Sequence, residues 1–128
     1  MKKLVFLLLA VMMLTACGQD TEKDQGAVYV NITAEEAKRI MDTEECYIIL
    51  DVRTQEEYDQ GHIPGAILIP DTEIKAKAED VLTDKDQLIL VYCRSGRRSK
   101  IAAEALVELG YTNIKEFGGI IDWPYEVE

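Results

Sequence analysis

Two short segments of this chain, residues 47–52 (YIILDV) and 88–92 (LILVY), are apolar at nearly every position. A strand with one wet face alternates apolar and polar residues, because successive side chains point to opposite sides of the sheet; a strand covered on both faces loses that alternation. Two such runs require a sheet held between two covering layers. In a chain of 128 residues those layers are most economically the helices that cross over between parallel strands.

The remaining patterns supply both. VYVNI (28–32), AILI (66–69) and NIKEF (113–117) read as three further strands. Thr33 and Glu36 form a Thr-x-x-Glu capping box that opens a helix over AEEAKRIMD, and Thr54 with Glu57 opens a second, short one ending near Tyr58. Residues 72–82 read as helical. Residues 99–109 are amphipathic, with Ile101, Ala102, Ala105, Leu106 and Leu109 on one side and Gly110 past the end. The alternation predicts an α/β fold: a five-stranded, mostly parallel sheet with helices on both faces.

The first residues follow a different pattern. MKKLVFLLLAVMMLTAC has two lysines, an apolar run over residues 4–14 and small residues before Cys17, the pattern of a secretory signal. The apolar run is shorter than the roughly 20 residues that span a bilayer. Leu14-Thr15-Ala16-Cys17 resembles the lipobox of bacterial lipoproteins, in which cleavage precedes a cysteine that carries a diacylglycerol. The chain is therefore expected to comprise a signal peptide (1–16), a lipidated Cys17 with a flexible tether (17–27) and a globular domain (28–128), lipid-anchored to a bacterial membrane outside the cytoplasm. A net charge of −10 argues against nucleic acid and against direct attraction to anionic lipid, leaving the acyl anchor as the one membrane contact. Three cysteines cannot all pair with one another.

The second apolar run ends in CRSGRRS, residues 93–99. This loop lies between a buried parallel strand and a helix start, the edge of an open α/β sheet at which ligands bind. Backbone N–H groups of a tight loop and a first helical turn converge there, and the helix dipole favours negative charge. A cysteine in that cradle is drawn toward its thiolate. Arg94, Arg97, Arg98 and Lys100 add a basic island to an acidic protein.

These elements resemble those of the single-domain rhodanese-like sulfurtransferases over residues 33–123. LDVRTQEEYDQGHIPGAILIP (50–70), VYCRSGRRS (91–99) and FGGIIDWPYEV (117–127) match the family's motifs in order and spacing. The resemblance implies that Cys93 is the catalytic nucleophile and carries a persulfide, while Arg94, Ser95, Gly96, Arg97 and Arg98 bind the substrate. It implies a small anionic sulfur donor such as thiosulfate, a cyanide or thiol acceptor, or a protein acceptor, and no metal or organic cofactor. A cysteine phosphatase would place its arginine one residue later than Arg98, around a larger tetrahedral anion.

Asp51 and Arg53 close the first apolar run and are expected to brace the active loop without entering the chemistry. His62, in GHIPGA, is the sole histidine and sits in turn chemistry, so it reads as structural. Cys46 begins the strand that Asp51 ends. In a parallel sheet that places it roughly 16 Å from Cys93, at about 3.3 Å per residue, too far for a disulfide; it reads as a small core residue. Three uses of such a domain remain: an active sulfurtransferase, a membrane-anchored persulfide carrier serving a partner protein, and a silent interaction domain. An intact Cys93 with a filled cationic loop speaks against the last.

Overall fold

The two apolar runs become adjacent central strands. The computed structural model describes residues 28–128; the expected signal peptide, lipidated Cys17 and tether lie outside them. Strands β1 (Val30–Asn31), β2 (Ile48–Asp51), β3 (Ile67–Leu68), β4 (Ile89–Cys93) and β5 (Ile114–Gly119) form one sheet in the order β1-β5-β4-β2-β3. Every pairing is parallel, so the expectation of a mostly parallel sheet resolves to a wholly parallel one. Asp51 lies opposite Tyr92, and Cys93 opposite Gly119, with an irregularity in the ladder between Val91 and Cys93. All strand C-termini therefore meet at one edge, and the loop after Cys93 begins there.

Helices α1 (Ala34–Thr43), α2 (Gln55–Gln60), α3 (Ile74–Val81) and α4 (Arg97–Glu108) connect the strands. The threonine caps form as the sequence predicts: Thr33 and Thr54 Oγ1 accept from the N–H groups of Glu36 and Glu57 at 3.1 and 3.2 Å. Helix α2 runs two residues beyond Tyr58, and the stretch from residue 72 divides into a 3₁₀ turn, Asp71–Glu73, followed by α3. Two cores result, one per face. Leu50, Val52, Val91 and Cys93 pack with Ala78 of α3 and Ala102 and Leu106 of α4. Ile49, Leu90, Tyr92, Phe117 and Trp123 pack with Ala37, Ile40 and Met41 of α1.

Helix α4 departs from the sequence reading in two ways. It starts at Arg97 rather than Ser99, so Arg97 and Arg98 form its first turn. Its phase is also rotated: Ala102, Ala103 and Leu106, spaced for one helical face, are fully buried, while Ile101 is 47% exposed. Close approach of α4 to the sheet favours small alanines on the contact line, and that packing outweighs the larger apolar area of Ile101. At the other end Gly110 and Tyr111 donate to the Val107 and Leu106 carbonyls at 3.0 Å each, the paired bonds of a Schellman cap. Cys46 is half-buried ahead of β2 and, among the described residues, is not part of either core, a correction to its reading as a core residue. Its carbonyl accepts from Gln87 Nε2 at 2.9 Å, which ties the segment before β2 to the segment before β4.

Leu106 joins α4 to the sheet with no exposed surface. Leu106→Ala should lower unfolding free energy by about 2–5 kcal/mol, the range for a truncated core leucine. Urea unfolding of the full chain measures this; a loss below about 1 kcal/mol would mean that α4 does not hold the sheet in this way.

Candidate active site

Beyond Cys93 the chain must turn from an extended strand into a helix within three residues. Gly96 makes the turn as the N-cap of α4, with φ of +107°, a conformation in which a side chain would be strained. In that geometry the Gly96 N–H points back and donates to Cys93 Sγ at 3.0 Å. Cys93 is a free thiol, 1% exposed, so its sulfur lies at the base of the loop rather than on its rim. The loop is seated on Gly119. A Cβ there would stand 1.9 Å from the Arg94 carbonyl oxygen, so only glycine permits this approach of β5 to the loop. The same carbonyl accepts from Ile121 N–H at 3.2 Å.

The structure divides the loop's cations into two kinds. Arg94 and Arg97 are exposed, and neither forms an ion pair among the described residues. Arg98 is half-buried and makes a two-pronged pair with Glu57 of α2 at 3.0 and 2.9 Å. Its guanidinium is held above its ordinary value by the Glu57 hydrogen bonds, against the opposing effect of burial, with further attraction from Glu57, Cys93 and Asp71. Arg98 thus supplies positive potential to Cys93 while its hydrogen-bonding fork is committed elsewhere. Ser95 is exposed beside the two unpaired arginines.

Asp51 and Arg53 form a buried pair as expected, but it braces a different segment. Arg53 Nη2 and Nε donate to the Asp51 carboxylate at 2.7–3.1 Å, and Arg53 Nη2 also donates to the Gly61 carbonyl at 2.7 Å. Tyr92 Oη donates to Asp51 Oδ2 at 2.6 Å and accepts from Ile63 N–H at 3.0 Å. The brace therefore locks residues 61–63 to the ends of β2 and β4, on the face that carries Tyr92. Cys93, one residue on, packs on the opposite face, so the brace reaches it only through the backbone. Burial opposes the charge on Arg53, but hydrogen bonds and attraction to Asp51 more than offset this and raise its value. His62 has the structural place expected: its ring stacks on Tyr58 at 3.8 Å, and its nitrogens contact the Tyr58 carbonyl and the Glu128 carboxylate.

Three functional neighbours escaped the sequence reading. Ser99 Oγ lies 3.3 Å from Cys93 Sγ and donates to Glu116 Oε2 at 2.5 Å. Gly118 N–H donates to the same carboxylate oxygen at 2.7 Å. Glu116 is 2% exposed, an acid inside the sheet beside the candidate nucleophile. Glu57 is the third, through Arg98. The signal for Glu116 was present as a charged residue within a strand pattern, but the sequence does not say which face it occupies.

A profile of the Rhodanese-like domain matches residues 33–124. Thiosulfate sulfurtransferase PspE of Escherichia coli is 44% identical over 73 residues, covering 57% of this chain and 70% of that protein. The putative sulfur carrier protein YrkF of Bacillus subtilis is 34% identical over 112 residues, 87% of this chain and 60% of that protein. Among solved structures, a rhodanese with anions from Escherichia coli superimposes with a TM-score of 0.60 at 39% identity, covering 64% of this chain and 96% of that one.

The brace generates a pH-dependent prediction. Burial, and secondarily the hydrogen bond to Asp51, push the Tyr92 phenol well above its ordinary value near 10. Folded Tyr92 keeps its proton where the unfolded chain loses it. Its contribution is therefore full below about pH 10 and lost as pH rises further, at up to about 1.4 kcal/mol per pH unit. Tyr92→Phe should remove that part of the alkaline slope. It should also cost about 1–3 kcal/mol at neutral pH, because Asp51 and Ile63 N–H lose a buried partner. Urea unfolding at neutral pH and above about pH 10 tests both; an identical alkaline slope in the two proteins would contradict this role for Tyr92.

Proposed function

Because the chain belongs to the rhodanese-like domain family, we propose that it is a sulfurtransferase that moves a sulfane sulfur from thiosulfate, or a donor of that kind, to cyanide or a thiol through a persulfide on Cys93. The observation that carries this is the free Cys93 thiol at the base of a loop whose Gly96 N–H donates to its sulfur at 3.0 Å. In the first step the Cys93 thiolate attacks the outer sulfur of thiosulfate. A Cys93–sulfur bond forms, the bond to the sulfite sulfur breaks, and sulfite leaves with the electron pair. In the second step the acceptor attacks the terminal sulfur, cyanide giving thiocyanate, and the thiolate is released. Dividing the transfer this way replaces one hard step by two easier ones. The Gly96 amide, the start of α4 and the field of Arg98 all favour an anionic sulfur at this point. Arg94 and Arg97, exposed on the rim, are free to attract the donor's two negative charges, and Ser95 adds a hydroxyl beside them.

A second reading keeps the same persulfide but gives the sulfur to a partner protein, so that the chain acts as a carrier. The unpaired cations at the loop rim favour it, since an acidic acceptor surface would meet them directly. The relation to a putative sulfur carrier supports the same reading. In either case the ending at Leu14–Thr15–Ala16–Cys17 supports an acyl anchor that holds the domain at the outer side of a bacterial membrane.

Intact-mass measurement after incubation with thiosulfate should show one added sulfur atom, located on Cys93 and absent from Cys93→Ser, together with an acyl group on Cys17. Discharge of that sulfur by cyanide would establish the enzyme; a persulfide released only to protein thiols would favour the carrier, and no added sulfur would refute both. Arg97→Ala should raise KM for thiosulfate several-fold, the effect of about 1 kcal/mol from one partly exposed charge, with a smaller change in kcat. Added salt should weaken thiosulfate use by the wild type more than by the variant. An unchanged KM would mean that Arg97 takes no part in binding the donor.

A further inference from the structure

Glu116 is the buried acid that sulfur transfer, as proposed above, leaves unused. Asp51, the other fully buried carboxylate, is matched by the Arg53 guanidinium. Glu116 has no cation in contact among the described residues; neutral donors hold it, Ser99 Oγ at 2.5 Å and Gly118 N–H at 2.7 Å. Ser99 has one hydroxyl proton and several acceptors in reach: Glu116 Oε2, the Gly96 carbonyl at 3.0 Å and the Gly118 carbonyl at 3.4 Å. The shortest of these contacts runs to the carboxylate, where a charge-assisted bond is strongest. With its proton so directed, Ser99 turns a lone pair toward Cys93, and the thiol donates to it across 3.3 Å. All three residues are 2% exposed or less.

If Cys93 ionised while Glu116 remained charged, two anions would face one hydroxyl in a site closed to water. At such close range, away from water, that repulsion opposes the ionisation. Reversing the two hydrogen bonds avoids this. We propose that Glu116 is a positioning residue for Cys93, acting through Ser99 as the store for the proton that the thiol gives up. The Cys93 S–H bond breaks and its proton passes to Ser99 Oγ; the Ser99 O–H bond breaks and its proton passes to Glu116 Oε2. The products are a thiolate, an intact serine hydroxyl and a neutral carboxylic acid, with the charge of the trio still a single negative. The thiolate then receives hydrogen bonds from Ser99 and from Gly96 N–H. Other charged or titratable groups that interact with the trio are Arg98 on α4, with Cys93, and Tyr29 ahead of β1, with Glu116; Glu104 on α4 interacts with Tyr29, and Asp51 and Arg53 pair on the opposite face of β2.

The inference rests on Cys93 being the sulfur acceptor, and its test is independent of sulfur transfer. The full-length protein is alkylated with iodoacetamide between about pH 5 and pH 9, and the rate is read at the Cys93 peptide by mass spectrometry. Two interacting groups sharing one charge titrate in two stages. Wild-type alkylation should therefore rise, stay nearly flat over a pH unit or more, and rise again. Glu116→Gln, which keeps shape and the two acceptor contacts, should give one continuous rise of about tenfold per pH unit before it levels off. Above neutral pH the variant should react several-fold faster than the wild type, since no second charge opposes its thiolate. Glu116→Asp should keep two stages. A single rise in the wild type overturns the proposal by itself, even if the variants do not fold. Two stages persisting in Glu116→Gln overturn it as well. Failure to form a persulfide from thiosulfate, with the two-stage profile intact, would instead strike only at the proposed sulfur transfer.

Discussion

Burying β4 along its whole length withdraws five side chains and their peptide groups from water, and the architecture can be traced to meeting that demand. Its backbone is satisfied by parallel partners on either side, β2 and β5, and its two faces by α1 on one and α3 and α4 on the other. Parallel pairing then forces every connection to cross over and return, so the strands end at a common edge. A chain leaving β4 at that edge has one short route into α4, and Cys93, a free thiol, is the last residue before the turn. The site is a by-product of how the central strand is covered.

The two faces of the sheet handle buried charge differently. On the face of Tyr92, Asp51 meets a guanidinium, a phenol and a backbone amide, a set that leaves it no unmatched charge and fixes residues 61–63. Such a group is costly to disturb. On the face of Cys93, Glu116 is held, among the described residues, by neutral donors alone, one of them a hydroxyl that also touches the thiol. On the proposal above, a carboxylate kept without a counter-charge beside the thiol is suited to exchanging a proton with it. Similar residue types thus sit in an ion-paired brace on one face and in a hydroxyl-bridged contact with a thiol on the other, separated by a single layer of backbone.

The arginines divide along the same lines. Arg53 and Arg98 spend their planar forks on carboxylates, where bidentate geometry gives position as well as energy. Arg94 and Arg97 remain in solvent at the rim. On the proposed function, a dianionic donor would meet the exposed charges of Arg94 and Arg97 first and the fixed field of Arg98 deeper in.

Much of this was legible in the residues themselves. Uninterrupted apolar runs dictated central strands, Thr-x-x-Glu pairs dictated two helix starts, and Cys93 at a strand end before a glycine and a helix pointed to an anion cradle, because each of these is a local or periodic property of the chain. The phase of α4 was not legible: Ile101 is the larger hydrophobe, and only contact with the sheet decided that Ala103 is buried in its place. Nor could the sequence show that Arg98 is claimed by Glu57, 41 positions away, or that Gly119 is the seat of the loop at Arg94. Whether Glu116 faces solvent or Cys93 depends on strand register and on the ladder irregularity at the end of β4. Local chemistry is written in order along the chain; the company a side chain keeps across the sheet exists only once distant segments have been brought together.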